Sequence, residues 1–125
     1  MILPTISKQL LSQQPDLLPD YENLTSLPEK VIQFGTGVLL RGLPDFFINK
    51  ANQKGIFNGR VVVVKSTNQG SSDAFKDQNN LFSHRIRGIE NGKQVDETVI
   101  NTAISRTLNA KDEWTEILSC ARNPE

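Results

Sequence analysis

Residues Phe34-Gly35-Thr36-Gly37-Val38-Leu39-Leu40-Arg41-Gly42 carry the strongest chemical signal in this chain. Two glycines one residue apart, behind an apolar run and ahead of a helix, suit a turn that brings backbone amides up to an anion. Gly35 lets the chain turn sharply, and Gly37 removes the Cβ that would hold a pyrophosphate away from the backbone. A helix N-terminus behind the turn offers unbonded N–H groups to phosphate oxygens. Arg41 can add a charge-assisted hydrogen bond. Spacing alone leaves a second reading open, in which the glycines only make a turn and Arg41 is solvated. The third glycine of a G-x-G-x-x-G pattern would fall at Leu40, and the next glycine is Gly42. The acid expected about 20 positions on, to grip a ribose 2′-hydroxyl, is also missing. The chain there reads Lys65-Ser66-Thr67-Asn68. Ser66 or Asn68 can bond that hydroxyl, and Lys65 tolerates a 2′-phosphate. Residues 65–72 are therefore a second candidate segment.

The flanking elements decide whether the loop can work. Val31, Ile32, Gln33 and Phe34 form a short apolar run stopped by Gly35, which reads as a strand. Residues 60–65 contain four consecutive valines, as in a parallel strand buried on both faces. Between them Pro44 suits the first position of a helix over 44–54, with Asp45 at its positive dipole end. Phe46, Phe47, Ile48 and Ala51 would form its buried side, and Gly55 its stop. This is a βαβ unit, and the loop lies at the carboxyl end of its first strand, where open α/β sheets bind ligands. Residues 68–80 read as an exposed polar loop. Residues 81–89 and 94–104 read as an inserted β-hairpin about Asn91-Gly92, a register that sets Arg87 opposite Asp96. Asn109 would cap a last helix burying Trp114, Ile117, Leu118 and Ala121, ended by Asn123-Pro124.

The fold class is therefore α/β, a Rossmann-like dinucleotide-binding domain with an inserted hairpin. Residues 1–30, punctuated by Pro4, Pro15, Pro19 and Pro28, read as an N-terminal arm anchored by Leu10, Leu11, Leu17 and Leu18. Residues 31–125 read as the N-terminal part of the binding domain. A sheet ending after the last helix would show an unpaired apolar edge, so the chain is expected to be a fragment of a longer protein.

Fourteen basic residues balance fourteen acidic ones. That balance provides no clustered charge for nucleic acid or an anionic membrane. The single cysteine, Cys120, excludes an internal disulfide and a cysteine metal cluster, and suits the cytoplasm. No apolar run approaches the roughly 20 residues of a spanning helix. His84, the one histidine, reads as structural on a hairpin strand with Phe82 and Ile86, away from the glycine loop. Asp112 and Glu113 sit in a first helical turn for dipole reasons rather than as an acid–base pair. No residue here is assigned a catalytic or metal-binding role.

FGTGVLLRGLPDFF, followed by KANQKGIFNGRVVVVKSTN, LFSHRIRGIENGK and CARNPE, resembles the polyol-specific long-chain (mannitol) dehydrogenase family, in order over about three-quarters of the chain. In that family the segment matching residues 31–42 is an NAD-binding loop of the form G-x-G-x-x-x-R, so the departure at Leu40 is shared. The resemblance implies NAD as cofactor, bound by Gln33, Phe34, Gly35, Thr36, Gly37, Val38, Leu39, Leu40, Arg41 and Gly42, with Ser66 added from its position after the second strand. It implies reversible reduction of a keto-uronate in hexuronate breakdown, on a small sugar-acid substrate. The family's catalytic lysine, with its asparagine and histidine, lies in a later helical domain and matches nothing here. Other sugar or polyol substrates of the family, and a nucleotide-sensing module without chemistry, are the alternatives.

Overall fold

In the computed structural model, which describes residues 5–67 and 73–125, the four valines stand at the centre of a sheet. Strand β2 (Arg60–Lys65) is buried along its whole length. Strand β1 (Glu29–Phe34) runs parallel to it, with Val31 opposite Val61 and Phe34 opposite Val64. The parallel βαβ expectation holds, with β1 beginning two residues early.

A third strand was not legible. Residues 94–104 were expected to stay in the hairpin. Instead the return strand stops at Asn101, and Ile104–Asn109 crosses to the other side of β2 as a parallel strand. With the hairpin strands β3 (Phe82–Glu90) and β4 (Lys93–Asn101), this strand is β5. The sheet order is β1-β2-β5, with β3-β4 a separate ribbon. Side chains make the corner: Asn101 Oδ1 accepts from the Ala103 N–H (2.8 Å), and Asn49 Oδ1 accepts from the Thr102 N–H (3.0 Å). These bonds replace ladder bonds, so the chain leaves the ribbon without orphaning its amides. The hairpin register is as expected, Arg87 facing Asp96, and Asn91 (φ 52°) and Gly92 (φ 76°) make the mirror-image turn. Arg87 pairs with Asp96 as expected (Nε to Oδ2, 3.6 Å), and Arg85 also grips it through two bonds of 3.1 and 3.0 Å.

The faces of β2 are covered differently. Val61 and Val63 pack with Phe82, Ala103 and Ile104, joined by Ile48 and Phe75. Val62 and Val64 pack with Leu108, Ile117 and the partly buried Cys120. Ile48 belongs to a helix (Pro44–Gln53) that starts and stops where expected but turns an unexpected face inward. Its buried residues are Asp45, Asn49 and Asn52, while Phe47 is 59% exposed and Phe46, Ile48 and Ala51 are half-buried. That face meets backbone rather than side chains. Asn49 serves the corner at Ile100 and Thr102, and Asn52 brackets Gly59 with bonds of 2.7 and 3.0 Å. Polar groups are needed there because the turns it touches carry unpaired N–H and C=O groups.

The last helix, Trp114–Cys120, also departs from expectation. Asn109 ends β5 instead of capping it, Trp114 and Leu118 are about half exposed, Ala121 is exposed, and only Ile117 is buried. A two-turn helix over two strands reaches the sheet through one turn. The expected loop over 68–80 lies partly outside the described residues, and its remainder contains a helix, Asp73–Asp77. In the first thirty residues, helices Lys8–Gln13 and Tyr21–Thr25 are held by Leu11 and Leu24. Leu10 and Leu18 are half-buried and Leu17 is 49% exposed, so only one of the four expected anchors is in the core.

Helices are numbered along the chain as α1 (Lys8–Gln13), α2 (Tyr21–Thr25), α3 (Val38–Gly42), α4 (Pro44–Gln53), α5 (Asp73–Asp77) and α6 (Trp114–Cys120).

Candidate functional site

The carboxyl ends of the three parallel strands lie side by side, and the glycine loop rises from the first of them. The Gly35 N–H donates to the Val64 carbonyl (2.9 Å), carrying the β1–β2 ladder one residue beyond the strand. Gly35 has φ +124°, and a Cβ there would stand 2.8 Å from Leu40 Cδ1. Backbone angle and packing thus both require glycine. Gly35→Ala is expected to lower stability by about 1–3 kcal/mol, measurable as a reduced urea midpoint with unchanged slope.

Gly37 is constrained by something else. It caps α3 with φ −65° and ψ 159°, angles open to any residue, and no atom lies within 4 Å of where its Cβ would be. The fold does not need a glycine there. What the missing side chain leaves is open approach to the amides at the start of α3. This helical turn is additional to the helix expected from Pro44, which α4 bears out. Arg41 N–H bonds Gly37 O at 3.2 Å, and Leu43 N–H bonds Leu39 O at 3.0 Å. Pro44 starts α4 after a break at Leu43. The amides a helix cannot bond internally therefore stand next to the glycines, six residues earlier than expected. Thr36 and Leu40 are half-buried, whereas Phe34 (62%), Val38 (76%) and Leu39 (75%) project into solvent, as does Gly42.

Below the loop is a buried polar layer. Gln33 Nε2 donates to Gly35 O (3.2 Å) and to Asp45 Oδ2 (3.2 Å). Asp45 is fully buried, and its Oδ1 has no partner. Burial pushes its carboxyl above the ordinary range, against the opposing pull of the Gln33 bond and the Arg41 charge. Arg41 is half-buried; its guanidinium lies 5.3 Å over the Phe75 ring and its Nε is buried without a partner. The Asn101 amide joins this layer from β4, donating to Asp45 O (3.0 Å) and meeting His84 Nε2 (3.0 Å). The His84 ring is set edge-on to Phe46 and Phe82, each centroid 5.0 Å away. Burial first, and the Arg41 charge second, lower its pKa.

Of the residues singled out in the sequence, 33–42 thus run as one continuous stretch at the carboxyl end of β1, with Gln33 buried beneath it. Ser66 is exposed just beyond the end of β2, and no acid stands beside it at positions 65–67. Asn68 and the rest of the 65–72 segment beyond Thr67 lie outside the described residues. Asp45, Asn101 and the inward reach of His84 were missed. The signal for Asp45 was present as Asp45, Asn49 and Asn52 at helical spacing, a stripe that reads as a solvated face until backbone is found against it. Among the described residues no three His, Cys, Asp or Glu side chains converge as metal ligands, and no helix is long and apolar enough to cross a membrane.

No family model matches the chain. Among curated proteins it is similar to altronate oxidoreductases. It is 39% identical to that of Halalkalibacterium halodurans over 102 residues, 81% of this chain and 20% of the relative. To that of Bacteroides thetaiotaomicron it is 37% identical over 98 residues, 78% of this chain and 20% of the relative. To that of Bacillus subtilis it is 36% identical over 89 residues, 71% and 18%. Among solved structures it superposes on Pseudomonas fluorescens mannitol 2-dehydrogenase, in a ternary complex with NAD and D-mannitol, with a TM-score of 0.77. That match has 19% identity and covers 97% of this chain and 25% of the other. The fold is Rossmann-like α/β, as the sequence led us to expect. The resemblance read from the glycine loop and hairpin is borne out, and the chain spans about one-fifth of the length of the curated relatives it matches.

Proposed function

We propose that this chain forms the NAD(H)-binding part of an oxidoreductase acting on a CH–OH group, and that the reaction served is the interconversion of D-tagaturonate and D-altronate. The observation that carries this reading is Gly37, a glycine the backbone does not require, open on the ligand side of a parallel sheet's carboxyl edge. Similarity to curated altronate oxidoreductases supports the substrate, and the neighbour solved with NAD supports the cofactor.

When bound, the dinucleotide supplies the hydride acceptor or donor; the chain's share is to hold and orient it. The amides that open α3 would receive the pyrophosphate, with Gly35 setting the turn and Gln33 fixing the Gly35 carbonyl from below. Ser66, exposed just beyond the end of β2, would bond a ribose hydroxyl. Thr36 and the exposed Val38 and Leu39 would cover the phosphates' flank. Removing the positive charge of Arg41 beside that loop, as in Arg41→Ala, should weaken NADH binding by roughly 1–3 kcal/mol, a roughly five- to 150-fold rise in Kd.

The resemblance assigns the catalytic lysine to a region that matches nothing in these residues. The 125 residues alone are accordingly expected to oxidise no altronate at any NAD concentration. An absorbance assay at 340 nm, with contaminants excluded, checks this. Turnover by the 125 residues would show that the active site has been misplaced. Assaying the complete protein against altronate, fructuronate, mannitol and mannitol phosphate tests the substrate, with altronate expected to give the highest kcat/KM.

A further inference from the structure

We propose that His84 is a positioning residue for the glycine loop, acting on it through Asn101, Asp45 and Gln33. The inference rests on the proposed dinucleotide site and adds to it the device that holds its loop.

The connection can be followed bond by bond. Asn101 has one orientation, because its Oδ1 accepts the Ala103 N–H at 2.8 Å. Its Nδ2 therefore faces both remaining partners, donating to Asp45 O (3.0 Å) and to His84 Nε2 (3.0 Å). A nitrogen that accepts carries no proton, so His84 is the neutral tautomer with its proton on Nδ1. Asp45 passes the constraint on through its side chain, whose Oδ2 accepts from Gln33 Nε2 (3.2 Å), and the same Nε2 donates to Gly35 O (3.2 Å). Asn101 and Asp45 are fully buried and Gln33 is 8% exposed, so water does not compete strongly for these bonds. A hairpin residue far from the loop in sequence thus braces the carbonyl of the first glycine.

Protonating His84 turns its Nε2 into a donor facing another donor. Asn101 cannot flip to compensate without abandoning Ala103. Charged groups near the ring oppose the proton or leave it without a counterion. Arg41 of α3 repels it, Asp45 of α4 offers Asn101 its backbone oxygen, and Lys50 lies 4.9 Å over the Phe46 ring. On the hairpin, Arg85 and Arg87 are both engaged with Asp96. The lowered pKa agrees with this geometry. For a histidine held neutral in the fold, the unfolded chain binds the proton first. Stability therefore falls as pH drops from the ordinary histidine range toward the lower folded value.

The test is NADH affinity of the complete protein against pH for wild type, His84→Gln and His84→Phe, with the His84 ring and Gly35 amide followed by ¹⁵N NMR. Glutamine supplies an acceptor at the Nε2 position that does not titrate; phenylalanine keeps the ring contacts and removes the acceptor. We expect wild-type Kd to rise roughly fivefold or more as His84 protonates, the His84→Gln value to stay flat, and His84→Phe to bind weakly at every pH. The Gly35 amide should titrate with the His84 midpoint and cease to do so in His84→Gln. Should wild type bind NADH with an affinity indifferent to His84 protonation and to both substitutions, the positioning role is overturned while the cofactor reading stands. If wild type binds no NADH, the cofactor reading fails and the amide titration decides: a Gly35 signal independent of His84 overturns the bracing itself, and a coupled one upholds it.

Discussion

Gly37→Val is expected to weaken NADH binding by more than a hundredfold while leaving the apo protein as stable as wild type. The Cβ it adds meets no neighbouring group within 4 Å, at backbone angles valine adopts readily. Nothing in the free fold opposes it. The conflict arises only with a ligand that needs the amides behind it. Losing two charge-assisted amide–phosphate bonds, at about 1.5 kcal/mol or more each, gives about 3 kcal/mol, a little over a hundredfold. The pairing with Gly35→Ala makes the result specific. One glycine should cost stability, because the turn needs it, and the other should cost affinity, because the ligand does. Calorimetric Kd and urea midpoints for both variants separate the two effects. Equal losses of stability would mean that both glycines merely shape the turn.

Arg60→Leu should be the most damaging single change to the fold. Arg60 is 9% exposed, and its guanidinium donates to three carbonyls: Thr102 O (3.1 Å), Thr25 O (3.0 Å) and Ile104 O (2.7 Å). It therefore ties the end of α2, the corner after β4 and the start of β5 to the head of β2. Burial lowers its pKa, opposed by Tyr21 and Glu29, yet an arginine stays charged, so the three carbonyls share a full positive charge. Leucine fills much of the volume and leaves those acceptors unbonded. At about 1 kcal/mol or more for each, the loss is about 3 kcal/mol, or roughly 10 °C in Tm. Arg60→Lys should recover only part of this, since one ammonium cannot span three directions as a planar fork does. A Tm within about 2 °C of wild type for Arg60→Leu would show that water or backbone movement satisfies those carbonyls.

What could be read without coordinates, and what could not, follows a physical division. The four valines, the glycines and Pro44 act through their own backbone preferences or through burial on both faces. They placed β1, β2, α4 and the loop to within a residue or two. The Asn91-Gly92 turn fixed the register of Arg87 against Asp96 because a two-residue turn allows only one pairing. Strand β5 was missed because Asn101 and Thr102 look like strand or loop residues until Ala103 and Asn49 are seen bonding them. The face of α4 was misassigned because burial was equated with apolar character, whereas Asp45, Asn49 and Asn52 are buried to satisfy neighbouring backbone. Trp114 was expected in the core for the same reason of type over context. The candidate site followed this pattern: residues 35–42 stood out by glycine spacing and Gln33 and Phe34 by the family resemblance, whereas Asp45, Asn101 and His84, which come from three separate elements, did not.

Amide-resolved NMR of the ¹⁵N-labelled protein during an NADH titration tests the central claim most directly. Saturable shifts are expected at Gly35, Thr36, Gly37, Val38 and Leu39, with a second group at Ser66 across the sheet edge, and little change at the hairpin tip around Asn91. Shifts that leave residues 35–39 unmoved while NADH binds elsewhere, or no saturable shift at any residue, would contradict that claim.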